Sequence, residues 1–338
     1  MAGPALHVVT RVGDAIHGVR ESWARRAGRV PTIVPFVGYG GDGWIRVLGR
    51  VVLRRPEPST GDRFQSVRGW RSFTSVPVRD AEIAVTAGKT TGVVTADRGG
   101  VIDARVEVDL PPGWSSVQLS VGGRGAVELR VFVVDESATF GVVSDVDDTV
   151  MVTALPRPFL AAWNSFVLNE HARTPVAGMA VLYERLTRAN PGAPVVYLST
   201  GAWNVVPTLT RFLSRNLYPR GPLLLTDWGP THDRWFRSGA EHKRLNLQRL
   251  AGEFPKVRWL LVGDDGQHDP QLYGEFAEAH PDNVAAVAIR QLTTGQAVLA
   301  GGRSDPEPHE QGVPWRYAPD GARLSAQLTE LGLLPDVS

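Results

Sequence analysis

The stretch Val142-Val-Ser-Asp145-Val-Asp147-Asp148-Thr149-Val150 places three carboxylates and a threonine directly after a short apolar run. In a parallel α/β sheet such runs are strands, and their C-terminal ends line the ligand crevice. Three acids packed there repel one another unless a cation joins them. Oxygen ligands in that setting suit Mg²⁺. The same acids also suit the N-cap of a following helix, and the motif alone does not separate the two uses. Three further stretches stand at or just after predicted strand ends. Tyr197-Leu198-Ser199-Thr200-Gly201 offers hydroxyls and a glycine that fit a phosphoryl oxygen, and equally an ordinary strand-to-helix turn. Glu241-His242-Lys243 carries one of the chain's three lysines, the others being Lys89 and Lys256. Leu260-Leu-Val-Gly263-Asp264-Asp265-Gly266-Gln267-His268-Asp269 ends another strand on a second group of acids.

The elements that must hold these residues follow from periodicity. Over 138–300, apolar runs at Phe140–Val143, Val195–Leu198, Leu223–Leu225, Trp259–Val262 and Val284–Ile289 alternate with helical patterns. That order predicts βαβ units, hence a Rossmann-like parallel sheet with helices on both faces. Residues 32–137 read as an all-β, sandwich-like domain. Apolar and charged residues alternate through Ile102–Leu110, further strands fit Trp44–Leu53 and Val127–Val134, and glycine- and proline-rich turns separate them. Residues 1–31 form an N-terminal segment in which 5–29 fit one basic amphipathic helix. Val9, Val12, Ile16, Val19 and Trp23 share a face, with Arg11, Arg20, Arg25, Arg26 and Arg29 around it. Such a face packs by default on its own protein; the alternative is an anionic membrane interface. In the remaining 301–338, Gly301–Pro319 reads as loop, and Leu324, Leu328 and Leu331 mark a docking helix over Ala322–Leu331.

Taken in order, the four stretches resemble the signature of the haloacid dehalogenase superfamily. They are closer still to one branch, the actin-patch-protein type of phosphatidate phosphatase. The matching residues are Ser144-Asp145-Val-Asp147-Asp148-Thr149, Tyr197-Leu198-Ser199 with Trp203 and Asn204, and Gly221-Pro-Leu-Leu-Leu225 with Asp227-Trp228-Gly229. His242-Lys243 and Gly263-Asp264-Asp265-Gly266-Gln267 with Asp269-Pro270 follow, and Ile289-Arg290 falls in a similar closing strand. The resemblance covers roughly 140–292. Two positions depart from the branch: Thr200-Gly-Ala-Trp203 stands where Ser-Pro-Trp is common, and Asp265 where serine is. The resemblance implies a sheet of haloacid dehalogenase type with a minimal cap. It implies Asp145 as nucleophile, Asp147 as acid and base, and Ser199 and Lys243 as holders of phosphoryl oxygens. It implies Mg²⁺ on Asp145, Asp264 and the Asp147 carbonyl, with Asp265 and Asp269 as outer partners of metal-bound water or of Lys243. Thr149, Thr200, Trp203 and Arg234 are the candidate substrate contacts. Lys243 suits its place because a compact ammonium serves a carboxylate and a phosphate oxygen together, where a planar guanidinium is bulkier.

Composition narrows the partners. The chain has 338 residues, a formal net charge of +1 and no cysteine. These disfavour nucleic acid as a partner and exclude thiol chemistry. No stretch reaches the ~20 apolar residues of a membrane span, so a cytoplasmic protein with peripheral membrane contact is expected. The short intervals Val150–Pro191 and Leu213–Glu241 leave no room for a large cap, which favours an open site and a large substrate such as a bilayer lipid phosphate. Trp163, Trp203, Trp228, Trp235 and Phe236 are groove residues or core aromatics, and Arg234 and Arg237 head-group contacts or solvated charges. The expected reaction is hydrolysis of phosphatidate to diacylglycerol. The alternatives are a soluble sugar phosphate, nucleotide or phosphoprotein, and a non-catalytic scaffold whose β domain binds a partner of unknown kind.

Overall fold

A computed structural model describes residues 18–56, 76–152, 174–226, 232–266, 268–299, 302 and 312–336, with backbone alone for 232–238 and 299. The chain divides into two compact units. One takes in 1–38, 44–110 and 116–131, the other 39–43, 111–115 and 132–338.

The first unit is built on an antiparallel sheet. The strands of that sheet, with most of β2, the start of β8 and the end of β9 assigned to the other unit, are β1 (Val30–Pro35), β2 (Gly38–Gly41), β3 (Trp44–Arg54), β4 (Val76–Pro77), β5 (Glu82–Ala87), β6 (Thr90–Thr95), β7 (Val101–Glu107), β8 (Gly113–Val121) and β9 (Val127–Val133). They join in the order β1-β3-β2-β9-β8-β5-β6, with β4 and β7 also on β3. The alternation read over Ile102–Leu110 holds to Glu107, where the strand ends short of the Pro111-Pro112 turn. Asp103, Arg105 and Glu107 face water, and Asp103 pairs with Arg46 across the β3–β7 ladder at 2.7 Å.

Ahead of β1, residues 18–26 are helical. Val9, Val12 and Ile16, the other members of the proposed apolar face, lie outside the described residues. Val19 and Trp23 are 70% and 71% exposed, whereas Ala24 is buried. At these two positions the default expectation, packing on the protein itself, is not met. The helix buries the small side chain and turns the large ones outward.

Among the described residues the second unit carries six parallel strands: β10 (Phe140–Asp145), β13 (Val195–Ala202), β14 (Leu223–Thr226), β15 (Arg258–Asp264), β16 (Val284–Arg290) and β17 (Trp315–Ala318). They lie in the order β14-β13-β10-β15-β16-β17. Relative to chain order this is 3-2-1-4-5-6, the doubly wound arrangement. Central strands of such sheets are covered on both faces, which is why β10, β15 and β16 read as continuous apolar runs rather than alternating ones. A two-stranded ribbon, β11 (Met151–Val152) and β12 (Thr174–Pro175), follows β10.

The helices are α1 (Met179–Ala189), α2 (Val206–Arg215), α3 (His232–Glu253), α4 (Asp269–Ala279), α5 (Thr294–Leu299) and α6 (Gly321–Glu330). Helix α1 buries Met179, Leu182, Tyr183 and Leu186, the i, i+3, i+4, i+7 pattern of one helical face. None of the described helices is long and apolar enough to cross a membrane.

The expected loop Gly301–Pro319 needs correction. Its last part forms β17, paired parallel to β16 from Val287↔Trp315 to Arg290↔Ala318. A four-residue edge strand between Pro314 and Pro319 has only one fully buried side chain, Ala318, so it shows no apolar run. The docking helix is α6, whose N-cap Asp320 accepts a hydrogen bond from the Arg323 N–H. Leu324 and Leu328 are completely buried. Leu328→Ala should therefore cost roughly 2–5 kcal/mol, read as a lower urea midpoint with unchanged slope. A shift below about 0.5 kcal/mol would show that α6 is not part of the cooperative core.

Candidate active site

β10 is the strand at which the strand order of the parallel sheet reverses: β13 and β14 follow on one side, β15 to β17 on the other. At such a switch point the connections leave in opposite directions and open a crevice at the strand C-termini. Asp145 closes β10 and Asp264 closes β15. The four stretches singled out above converge there.

Carboxylate oxygens of Asp145, Asp264 and Asp269 lie within 4.8 Å of one another. The Lys243 ammonium donates to Asp145 Oδ1 at 2.7 Å and to Asp269 Oδ1 at 2.6 Å. The other Asp145 oxygen, Oδ2, accepts from the Thr149 hydroxyl at 3.2 Å. Ser199 donates to Asp147 Oδ2 at 3.1 Å and accepts from the Gly201 N–H at 3.0 Å. Asp264 Oδ1 accepts from the Gly266 N–H at 2.7 Å, which fixes the turn after β15. Behind the Asp145 side chain, the Ser144 hydroxyl donates to the Asp145 carbonyl at 2.6 Å and lies 2.6 Å from the Tyr183 hydroxyl.

Two glycines allow this convergence. A Cβ at Gly239 would sit 2.9 Å from Thr200 Cγ2. Without one, α3 lies close to the end of β13, and Lys243, one turn further on, reaches Asp145. A Cβ at Gly263 would sit 2.5 Å from Asp269 Oδ2 and 2.8 Å from the Tyr273 ring. Glycine there admits the Asp269 side chain from the first turn of α4.

Burial dominates the electrostatics. It pushes the carboxyls of Asp145 and Asp264 well above their ordinary range, and neighbouring carboxylates push the same way. Lys243 opposes this for both. For Lys243 itself, burial alone would lower the ammonium, but Asp145 and Asp269 overcome it and hold the charged form firmly. Three carboxylates against one ammonium leave the cluster net negative when all are ionised. That excess, the oxygen-only donor set and the short separations fit a hard divalent cation.

Each sequence-predicted residue can now be placed. Asp145, Asp147, Thr149, Ser199, Lys243, Asp264 and Asp269 come together as described. Asp265 is buried, and its Oδ1 accepts from the Leu292 N–H at 2.8 Å, so it ties the turn after β15 to the segment after β16. The Thr200 carbonyl accepts from Thr226 at 2.9 Å, and its methyl packs on Gly239. Trp203 is buried, so it stands with the core aromatics rather than on a groove surface. Trp163, Trp228 and Gln267 lie outside the described residues, as do the side chains of Arg234, Trp235, Phe236 and Arg237. Two residues given no role from sequence also reach the loop after Asp145. Tyr218 donates to the Val150 carbonyl at 2.8 Å, and Arg290 Nη1 donates to the Asp148 carbonyl at 2.5 Å. Tyr218 carried no signal. Arg290 did, as the one charged residue ending an otherwise apolar strand.

Residues 140–291 match the family described as "Phosphatidate phosphatase APP1, catalytic domain". This match brackets every residue of the cluster and supports an APP1-type catalytic segment. The Saccharomyces cerevisiae phosphatidate phosphatase APP1 is 23% identical over 201 residues, 58% of this chain and 34% of that protein. An uncharacterized protein of Schizosaccharomyces pombe is 24% identical over 152 residues, 45% of this chain and 25% of that one. The chain thus spans about a third or less of the relatives it matches. Together the family match and the yeast relative support a phosphoric monoester hydrolase. Among solved structures, a carbohydrate acetylesterase from Xanthomonas citri aligns with a TM-score of 0.29 at 12% identity, covering 80% of this chain and 73% of that one. A score that low carries no argument about fold.

The raised carboxyls have a consequence for stability. Between the ordinary Asp value of 3.8 and their raised values, Asp145 and Asp264 hold more protons folded than unfolded. Their contribution to stability therefore falls as pH rises through that window. A bound divalent cation offsets the ionised form. Mg²⁺ should raise the Tm of chelator-treated protein more at about pH 8 than at about pH 5. Asp264→Asn should shrink that difference. An equal Mg²⁺ increment at both pH values would contradict the cluster as a cation site.

Proposed function

We propose that the chain is a Mg²⁺-dependent phosphatase of haloacid dehalogenase type, hydrolysing phosphatidate or a closely related lipid phosphate through Asp145. The observation that carries this is the Lys243-bridged cluster of Asp145, Asp264 and Asp269 at the switch point of the sheet, inside the segment that matches the APP1 catalytic domain.

A divalent cation on Asp145 and Asp264, with Asp269 beside them, would screen the repulsion between an attacking carboxylate and an anionic phosphate. The chain's own residues supply the rest. Asp145 attacks phosphorus, an Asp145 O–P bond forms, and the bond from phosphorus to the ester oxygen breaks. Thr149 and Lys243 hold the two Asp145 oxygens, so the carboxylate cannot rotate freely. Asp147 gives its proton to the departing alkoxide, releasing the alcohol. It then takes a proton from the water that attacks the phosphorylated Asp145, which returns inorganic phosphate and free carboxylate. Ser199 and Lys243 stand where they can hold equatorial oxygens, on which charge accumulates in a loose transition state.

The lipid reading has a second support. Val19 and Trp23 expose their side chains one helical turn apart, on a segment that also carries Arg20, Arg25 and Arg26. An indole beside arginines suits the interface of an anionic bilayer, where phosphatidate resides. We therefore include peripheral membrane contact in the proposal.

Three experiments test these parts. Asp145→Asn should keep the fold and lose phosphatidate turnover by several orders of magnitude, about as much as loss of other enzymic nucleophiles; near-normal turnover would end the covalent reading. Wild-type activity that survives chelator would end the cation requirement. Trp23→Asp should slow turnover of phosphatidate in anionic vesicles while leaving a soluble phosphomonoester unaffected. Equal loss on both substrates would make Trp23 a structural residue, and no loss on either would remove this helix from membrane contact.

A further inference from the structure

Arg290 is the only charged residue of β16, whose other members, Val284 to Ile289, are all buried aliphatics. Its side chain is itself buried, at 5% exposure. A guanidinium in such surroundings is costly unless its donors are used. Nη1 donates to the Asp148 carbonyl at 2.5 Å, and Nη2 donates to Gln296 Oε1 at 2.9 Å. The Arg290 backbone is in register with Asp264, and its carbonyl accepts from the Asp265 N–H. The charges of Asp148, Asp264 and Asp265 all act on the guanidinium. One buried side chain thus spans from the end of β16 to the loop that follows the nucleophile.

That loop has a feature that calls for support. Asp148 adopts φ +55°, a left-handed conformation uncommon for residues with a Cβ. The turn closes on itself through Asp148 N–H to the Met151 carbonyl at 2.8 Å and Val150 N–H to the Val146 carbonyl at 3.1 Å. The Val150 carbonyl is held from outside by the Tyr218 hydroxyl. The Asp148 carbonyl points into the guanidinium. The carbonyls of Asp148 and Val150, the residues before and after Thr149, are therefore each held by a side chain from another element. Thr149 is the residue that donates to Asp145, and Asp147, which would exchange protons with substrate, immediately precedes the left-handed residue.

We propose that Arg290 is a positioning residue for the nucleophile loop. By gripping the Asp148 carbonyl against Gln296 and the β15 turn, it holds the left-handed peptide and so aims the Asp147 carboxylate and the Thr149 hydroxyl at the reacting groups. Its two-pronged geometry is what the role uses. A lysine would retain the charge but would not hold Asp148 and Gln296 in one rigid fork. This inference rests on the phosphatase reading for its kinetic arm only.

The test compares Arg290→Gln, Arg290→Lys and Gln296→Leu in the full chain, by hydrogen exchange and by steady-state kinetics on a soluble phosphomonoester at saturating Mg²⁺. Arg290→Gln should accelerate exchange across 146–151 while leaving 195–198 in β13 protected. It should lower kcat by about 100-fold, the scale of an ångström-sized misplacement, with KM changed by less than about threefold. Arg290→Lys should restore neither quantity to wild type. Gln296→Leu, which leaves the core intact, should produce both effects in weaker form. Unchanged exchange in 146–151 would overturn the proposal, as would full rescue by lysine or a kcat loss that added Mg²⁺ reverses. If the Arg290 variants do not fold, wild-type exchange and kcat in Gln296→Leu would overturn it equally. A wild-type protein without phosphatase activity would refute the function proposed above, while the exchange arm would still decide the role of Arg290.

Discussion

The ammonium of Lys243, buried between Asp145 and Asp269, is the interaction on which the arrangement of the catalytic unit depends. An isolated charge in that position would be expelled or neutralised. Paired on two sides, it keeps its proton and fixes two carboxylates that would otherwise repel each other and Asp264. The geometry demands three elements at close range. Helix α3 must approach β13, and Gly239 removes the side chain that would block it. Helix α4 must start against the end of β15, and Gly263 clears the way for Asp269. β10 must end level with β15, which their parallel register provides. A lysine fits because it delivers one compact charge to two acceptors.

The left-handed peptide at Asp148 belongs to the same design. If the loop after Asp145 could relax, Asp147 and Thr149 would swing away from Asp145. Here that loop is held by Ser144 and Tyr183 at its root, by Tyr218 at Val150 and by Arg290 at Asp148. These contacts come from several elements of the unit, so the orientation of the Asp147 carboxylate is set by folding. Dipoles fixed in advance need no reorganisation when charge develops, which is how preorganised sites act.

The parts of this plan that were legible in the sequence were those with local signatures. Strands buried on both faces gave unbroken apolar runs, and acids after those runs marked the crevice end. Position alone left a helix cap open beside a site at Asp145, and an ordinary turn or solvated surface at Ser199 and Lys243; the order of all four stretches, read as a family resemblance, singled them out, and the matched family covers the same segment. Asp265 and Asp269 could not be told apart, because the direction of a side chain beyond a strand end depends on the turn. Asp269 faces Lys243, whereas Asp265 turns away to the Leu292 N–H. β17 was missed because an edge strand of four residues between prolines has no periodicity to detect. Tyr218 acts through a backbone carbonyl 68 positions away, a relation no local pattern encodes.

The same division separates what the core of the site selects from what it does not. In the proposed reaction Asp145, Asp147, Ser199, Lys243 and Asp264 would all address phosphoryl oxygens, the cation or the proton of the leaving group. Nothing among them reads the carbon skeleton of the alcohol. Trp203, the one described aromatic among the candidate groove residues, is buried in the core. Discrimination between a diacylglycerol and a sugar as leaving group must then come from side chains around this set, or from where the enzyme is held. An exposed indole beside arginines can supply the second without altering the first, because adsorption to a bilayer raises the local concentration of phosphatidate and of no soluble ester. Substrate choice and chemistry would then rest on separable residues, Val19 and Trp23 for the one and the Lys243-bridged carboxylates for the other.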